Sequence, residues 1–477
     1  MAKSTRRNTA RYACADCGAE SLRWAGRCLK CGEFGTVAEV APITVVRGAA
    51  AEKPKRAARP VAEVAAEQTR RTATGIAEFD RVLGGGLVAG QVVLLAGEPG
   101  VGKSTLLLEV ANAMAGGVVS GGTQPPRERV CLYVSGEESA EQIGVRARRI
   151  GADAATLLVA DEQELPAIVG HIEAHRPELV VIDSVQTLSS PQIEGRPGGV
   201  AQVLEVTQAL TRIAKSRGMP LVIIGQSTRE NSVAGPRALE HLVDTVLTFE
   251  GDRHTSLRML RAAKNRYGPA DEVACFEQAT NGLREVPDPS ELFRGRRDAP
   301  VPGTCVTVTV EGRRPMLAEI QALTVKATGP NARRGVNGLD ASRVAMLTAV
   351  TTHHGELQLT DKDLFVATVG GAKVSDPAAD LAICLAVASA VWRAALPPDV
   401  IALGEVSLSG DVRPCPMLPE RVSEAGRLGY RTILVPPHAR DRVVIPAGAR
   451  MVEISDLDGA LEALIRYAPR TLTQSSG

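Results

Sequence analysis

Gly97-Glu98-Pro99-Gly100-Val101-Gly102-Lys103-Ser104 fits the phosphate-binding pattern G-x-x-x-x-G-K-[S/T] at every position. Before it, 91–96 reads as a short buried strand, and after it 105–115 reads as an amphipathic helix. Strand, glycine loop and helix in that order let consecutive backbone N–H groups turn inward around a phosphate. Lys103 then offers a point charge to the β and γ phosphates of ATP, and Ser104 offers a hydroxyl to Mg²⁺. A chance glycine turn has no need of lysine and serine directly after its last glycine.

Around this loop the chain organises as an α/β protein. From Thr74 onward, apolar strands alternate with helical stretches at 92–96, 130–134, 156–160, 179–183 and 221–225, the pattern of a mostly parallel sheet covered by helices. Strands at 245–250, 256–263 and 272–278 follow without long helices between them, which predicts an antiparallel extension. Val180-Val181-Ile182-Asp183 is an apolar strand ending in a carboxylate, placing Asp183 beside Ser104 as a second magnesium-side group. Ser135-Gly136-Glu137-Glu138 ends another strand with acids, one of which can orient and deprotonate an attacking water. Glu137 is the first choice as base, while Glu138 suits either that role or a helix N-terminus favoured by the dipole.

Length and composition set the frame. At 477 residues the chain is too long for one core and suggests about three domains. Only 3% of it is aromatic, which argues against wide base-stacking platforms. The longest apolar run, 381–392, falls short of a membrane span, and the polar N-terminus lacks a secretory signal, so the expectation is a cytoplasmic protein with no membrane contact. The net charge of +1 hides an asymmetry: residues 1–71 carry 14 Lys/Arg against 7 Asp/Glu, leaving about −6 for the rest.

Cys14-x-x-Cys17 and Cys28-x-x-Cys31, ten residues apart, can pinch a tetrahedral zinc ion from two sides. Gly18 and Gly32 follow the second cysteine of each pair, where a tight turn is needed. Residues 1–35 therefore read as a C4 zinc finger, folded by its metal. Cys131, Cys275, Cys305, Cys384 and Cys415 are scattered in apolar stretches and read as core. Residues 36–71, centred on Lys53-Pro54-Lys55-Arg56-Ala57-Ala58-Arg59-Pro60, read as a basic flexible linker.

Residues 72–285 resemble the RecA-like P-loop ATPase core through Thr74-Gly75-Ile76, Leu83-Gly84-Gly85-Gly86-Leu87, Ser135-Gly136-Glu137-Glu138-Ser139 and Asp183-Ser184-Val185-Gln186. Lys264-Asn265-Arg266-Tyr267-Gly268 is similar to the KNRFG signature of the bacterial RadA (Sms) family of DNA-repair proteins, with tyrosine in place of phenylalanine. The cysteine ribbon before it and the domain behind it match that family too. The resemblance implies a DNA-dependent ATPase that forms a homo-oligomeric ring, a hexamer, on single-stranded and branched DNA and stimulates branch migration with the RecA recombinase. It also implies that Lys264 and Arg266 reach the γ-phosphate of a neighbouring subunit, a role that one finger can fill with about 10³ to 10⁵ in rate. DNA would be carried by loop 189–202, with Arg196 and the Gly198-Gly199 hinge, and by loop 228–241, with Arg229, Arg237 and His241. The family's second loop begins G-H-V-T-K, whereas this chain has Gly225-Gln226-Ser227-Thr228-Arg229, leaving Gln226 as the nucleotide sensor.

Residues 300–470 resemble the proteolytic domain of Lon, most closely at Gly404-Glu405-Val406-Ser407-Leu408-Ser409-Gly410-Asp411-Val412. Such a protease needs serine in G-P-S-A-G and a lysine base. Here the first reads Asp376-Pro377-Ala378-Ala379-Asp380, and the second falls on Arg421, which cannot act as a base near neutral pH. Lys373 and Ser375 lie nearby without replacing the dyad. A scaffold that closes a ring and offers cations to DNA remains, with Lys326, Arg333, Arg334, Arg343, Arg313 and Arg314 as candidates. The rival readings are a nucleotide-switched KaiC-like signalling ATPase and an ATP-dependent protease.

Overall fold

The computed structural model describes residues 11–14, 16–17, 19–21, 23–40, 70–117, 129–226, 236–251, 256–291, 299–329, 332–369 and 373–467. The chain divides into two compact units, Met1–Ala65 and Ala66–Gly477.

In the first unit Arg11–Cys14 is the central strand of a three-stranded antiparallel sheet, between Glu20–Ser21 and Val37–Val40. Cys14 pairs with Val37. The ribbon thus runs to Val40, past the boundary expected at residue 35, because its third strand is needed to complete the pairing of the first.

In the second unit one sheet carries nine strands, in the order Gly282–Glu285, Val273–Ala279, Leu257–Asn265, Thr245–Gly251, Val92–Gly97, Leu221–Gln226, Leu179–Asp183, Cys131–Ser135, Leu157–Asp161. The last five, together with Thr245–Gly251, run parallel. Alternate residues feed two cores. Val93, Leu95, Tyr133, Val181 and Ile224 face the helices Ala77–Leu83 and Lys103–Ala115. Val92, Leu94, Val134, Ile182 and Ile223 face Leu165–His175 and Val200–Arg217. Burial on both faces is what a parallel sheet requires of its strands.

One expectation fails here. The sequence pattern predicts that 245–250 opens the antiparallel extension, yet the strand Thr245–Gly251 pairs parallel with Val92–Gly97. The chain from 227 to 244 is long enough to cross back to the starting end of the sheet, as a parallel connection demands. Antiparallel pairing begins with Leu257–Asn265, since the residues between Gly251 and Leu257 are too few for any crossover.

A second, seven-stranded sheet follows, in the order Arg334–Asn337, Lys362–Thr368, Arg314–Lys326, Thr304–Glu311, Val400–Ala402, Thr432–Val435, Arg450–Glu453. Helices Ala341–His354, Asp380–Trp392 and Leu457–Tyr467 cover one face, and Leu418–Arg427 covers part of the other. The apolar run at 381–392 is therefore a core helix. No helix among the described residues is long and apolar enough to cross a membrane.

The two sheets meet at a buried ion pair. Arg314 pairs with Glu78 of the helix Ala77–Leu83 and also donates to the carbonyls of Val273 (3.2 Å), Val286 (3.3 Å) and Pro287 (2.5 Å). Both side chains are almost fully buried, so Arg314 is not available as a DNA-facing cation. Arg343, another candidate, is engaged by Asp380.

Candidate active site and metal centre

The register of the nine-stranded sheet sets the site. Gly97 lies opposite Gln226, and Asp183 lies opposite Ser135, so four strand ends open on one edge, where open α/β sheets place their ligands. Gly97 must lack a side chain, because a Cβ there would meet the Phe249 carbonyl oxygen at 2.3 Å. Gly100 and Gly102 turn the loop with φ of 78° and 111°, values that disfavour other residues. Gly102 then starts the helix Lys103–Ala115 without a side-chain cap, leaving backbone N–H groups for an anion.

Lys103 is buried, and its Nζ donates to the carbonyls of Gly97 and Glu98, each at 2.9 Å. Burial pushes its ammonium below the ordinary value, while Asp183 and then Glu137 oppose that shift. Asp183, at the end of its strand, accepts a 2.5 Å hydrogen bond on Oδ2 from the Tyr133 hydroxyl. Glu137 Oε1 accepts from Ser184 Oγ at 2.7 Å and from Gln226 Nε2 at 3.0 Å. Glu138 pairs instead with Arg146. The two acids that the sequence left open are thus sorted by their partners: Glu137 faces the strand ends, and Glu138 is tied to its own helix.

Ser184 and Tyr133 escaped the sequence reading as functional side chains. Ser184 had a signal, since it directly follows the strand-end carboxylate. Tyr133 had a weaker one, a phenol within an otherwise apolar strand.

Lys264 to Gly268 lie elsewhere. Asn265 is opposite Thr245, which is opposite Val93, so this turn sits at the end of the strands away from Gly97. Four residues of strand separate the two ends, about 13 Å. Lys264 Nζ donates to the carbonyls of Glu240 (2.5 Å) and Val243 (3.0 Å), and burial lowers its pKa. The exposed Arg266 pairs with the buried Asp244 at 3.1 Å, and Lys215 shares that carboxylate at 2.9 Å. Asn265 shapes the turn: its Oδ1 accepts from the Tyr267 N–H at 3.0 Å and its Nδ2 donates to the Leu83 carbonyl at 3.2 Å. A Cβ at Gly268 would meet Asn265 Nδ2 at 2.8 Å and the Leu83 carbonyl oxygen at 3.1 Å.

Of the loop cations, Arg196 is exposed, and its carbonyl accepts from the Gly199 N–H at 3.0 Å. Below it, the buried Gln202 anchors the loop by bonding Ser190 and Ile193. Arg229 lies outside the described residues, as does the side chain of Arg237, which is placed only as part of the short helix Pro236–Leu239.

In the first unit, the Sγ atoms of Cys14, Cys17, Cys28 and Cys31 all lie within 4.8 Å of one another. Cys14 and Cys31, and likewise Cys17 and Cys28, are 3.6 Å apart. A tetrahedron with Zn–S bonds of about 2.3 Å spaces its sulfurs by about 3.8 Å, so the donor set fits zinc. Cys14 Sγ is hydrogen-bonded to Thr36 Oγ1 at 3.1 Å, and that contact, then the Cys17 backbone, brings the Cys14 thiol down to about 6. Gly32 turns the second knuckle at φ 83°, while Gly18 lies outside the described residues.

Ala378 and Arg421, which the Lon resemblance sets at the dyad positions, both contact Asp376. Arg421, buried, pairs with Asp376 at 2.6 Å and donates to the Val308 carbonyl at 2.5 Å. Asp376 Oδ1 accepts from the N–H of Ala378, itself fully buried.

Three family models match the chain: a rubredoxin metal binding domain over residues 12–39, an AAA domain over 57–232, and a Lon protease (S16) C-terminal proteolytic domain over 341–458. Among solved structures, a KaiC-like protein from Pyrococcus horikoshii OT3 is 22% identical, covering 46% of this chain and 99% of its own, with a TM-score of 0.37. The DNA repair protein RadA of Mycolicibacterium smegmatis is 47% identical, over 96% of this chain and 97% of its own. That of Pseudomonas aeruginosa is 43% identical, over 97% of this chain and 100% of its own. With ribbon, phosphate loop and Lon-like segment matched along nearly the whole of both chains, this protein belongs to the RadA family of DNA repair proteins.

Proposed function

We propose that this chain is a DNA-dependent ATPase of DNA repair, acting in the cytoplasm as a ring-shaped homo-oligomer, a hexamer. The ring moves on single-stranded DNA and drives branch migration of recombination intermediates with the RecA recombinase. The observation that carries the reading is the separation of two half-sites. Lys103, Asp183, Glu137 and Gln226 converge at one end of the parallel strands, while Lys264 and Arg266 sit at the other. A cation that cannot reach the phosphate loop of its own chain can contact a γ-phosphate only at the loop of a neighbour.

Within this reading the backbone of 97–104 cradles the phosphates of ATP, and Lys103 exchanges its two carbonyl partners for phosphate oxygens. Ser104 and Asp183 would hold Mg²⁺, which supplies charge neutralisation on the β and γ phosphates when bound. Glu137 orients and deprotonates the attacking water. Gln226 bonds Glu137 and also begins the loop that would hold DNA, so DNA contact and the position of the base share one side chain. Arg196, Arg229 and Arg237 contact the DNA backbone. Zinc holds the N-terminal ribbon. Proteolysis is not part of the activity, because alanine and arginine stand at the dyad positions.

ATP turnover with and without single-stranded DNA tests the proposal. DNA should stimulate turnover, and the stimulation should fall steeply as salt rises, since phosphate contacts release counterions. A rate indifferent to DNA would favour the KaiC-like signalling alternative. Lys103→Ala and Lys264→Ala proteins should each be inactive, and mixing them should restore part of the activity; mixtures that stay inactive would overturn the assignment of Lys264 to a neighbour's site.

A further inference from the structure

We propose that Tyr133 is a positioning residue for the metal side of the nucleotide site, acting through Asp183. The inference rests on the reading of Asp183 as a magnesium-side group and goes beyond it by naming what fixes that carboxylate. Tyr133 is fully buried in the strand Cys131–Ser135, opposite Val181 and Val159 in the two neighbouring strands. It stands two residues before the row shared by Ser135 and Asp183, so its side chain lies on the same sheet face as theirs. Along that face the phenol reaches Asp183 Oδ2 at 2.5 Å, and its oxygen also lies 3.5 Å from the Ser104 carbonyl oxygen.

Packing alone does not ask for this hydroxyl. A phenylalanine ring would fill the same place among Leu95, Val181 and Leu107, with no polar atom to satisfy. A buried hydroxyl costs free energy unless it is hydrogen-bonded, and here its partner is the strand-end carboxylate. Engaging Oδ2 stops the carboxylate from rotating and leaves Oδ1 as the oxygen able to accept from a metal-bound water. Outer partners that orient a ligating group in this way commonly matter by about 10- to 100-fold in metal affinity or activity.

The test uses the full-length, zinc-loaded chain with Tyr133→Phe, and follows equilibrium binding of a fluorescent, non-hydrolysable ATP analogue as Mg²⁺ is titrated. The magnesium concentration for half-maximal binding should rise about 10-fold or more. Binding in excess EDTA should not change, and kcat should fall. In an Asp183→Asn background the second substitution should have little further effect, since the phenol then has no carboxylate to orient. An unchanged magnesium dependence in Tyr133→Phe, with or without a lower melting temperature, would reduce the phenol to a packing group and overturn the proposal. If Asp183→Asn itself left magnesium dependence intact, the error would lie in the reading of Asp183.

Discussion

At the scale of single residues, chemistry here is decided by partners more than by identity. Glu137 and Glu138 are the same side chain at adjacent positions, yet one is held by Ser184 and Gln226 and the other by Arg146. Glu137→Gln should therefore lower kcat by about 10² to 10⁴ while nucleotide binding, followed by fluorescence, is retained. Glu138→Gln should leave turnover near the parent value and cost about 1 kcal/mol or less in stability, as expected of a half-exposed ion pair. Equal losses in both variants would contradict the division of roles. Arginine gives the same lesson. Arg266 is exposed, Arg314 is buried against Glu78, and Arg421 is buried against Asp376; no count of charges along the chain separates these three fates.

At the scale of elements, the loop, its strand and its helix were legible because their chemistry is contiguous: glycines, lysine and serine stand within eight residues. The polarity of Thr245–Gly251 was not, since a strand's own residues do not say which neighbour it pairs with. The helix Lys103–Ala115 carries a further consequence of packing. Glu109 accepts from the Leu283 N–H at 2.9 Å, in the turn at Gly282, where a Cβ would collide with the Glu109 carboxylate at 2.1 Å. Burial raises its pKa from an ordinary 4.5 to about 7. The folded state thus holds this proton more tightly than the unfolded chain, and the group's contribution to stability is full below about pH 4.5 and is lost as pH rises through 7. Compared with the parent protein, Glu109→Gln should lack this loss and gain relative melting temperature from pH 5 to pH 8. Parallel melting curves for the two proteins across that range would contradict the assignment.

At the scale of the whole molecule, Arg314 and Glu78 join the strand Arg314–Lys326 to the helix Ala77–Leu83, which lies shortly before the phosphate loop in sequence. Removing one partner of a buried pair leaves the other charge uncompensated, so Arg314→Ala should cost about 3 to 5 kcal/mol. Urea denaturation measures this. A loss below about 1 kcal/mol would mean that water reaches Glu78. The sequence by itself determined the phosphate loop, the four-cysteine ribbon, the alternation of strands and helices, and the family, because each is written in short-range spacing or in the order of motifs. Only the tertiary structure decided which acid stands at the strand ends, that Tyr133 holds Asp183, that Arg314 is an internal tie, and that Lys264 and Arg266 sit at the far end of the strands from Gly97. Those facts arise from pairing and burial between residues distant in the chain. Hydrogen-bond partners, and with them the working state of a charged side chain, exist only once the sheet has set its register.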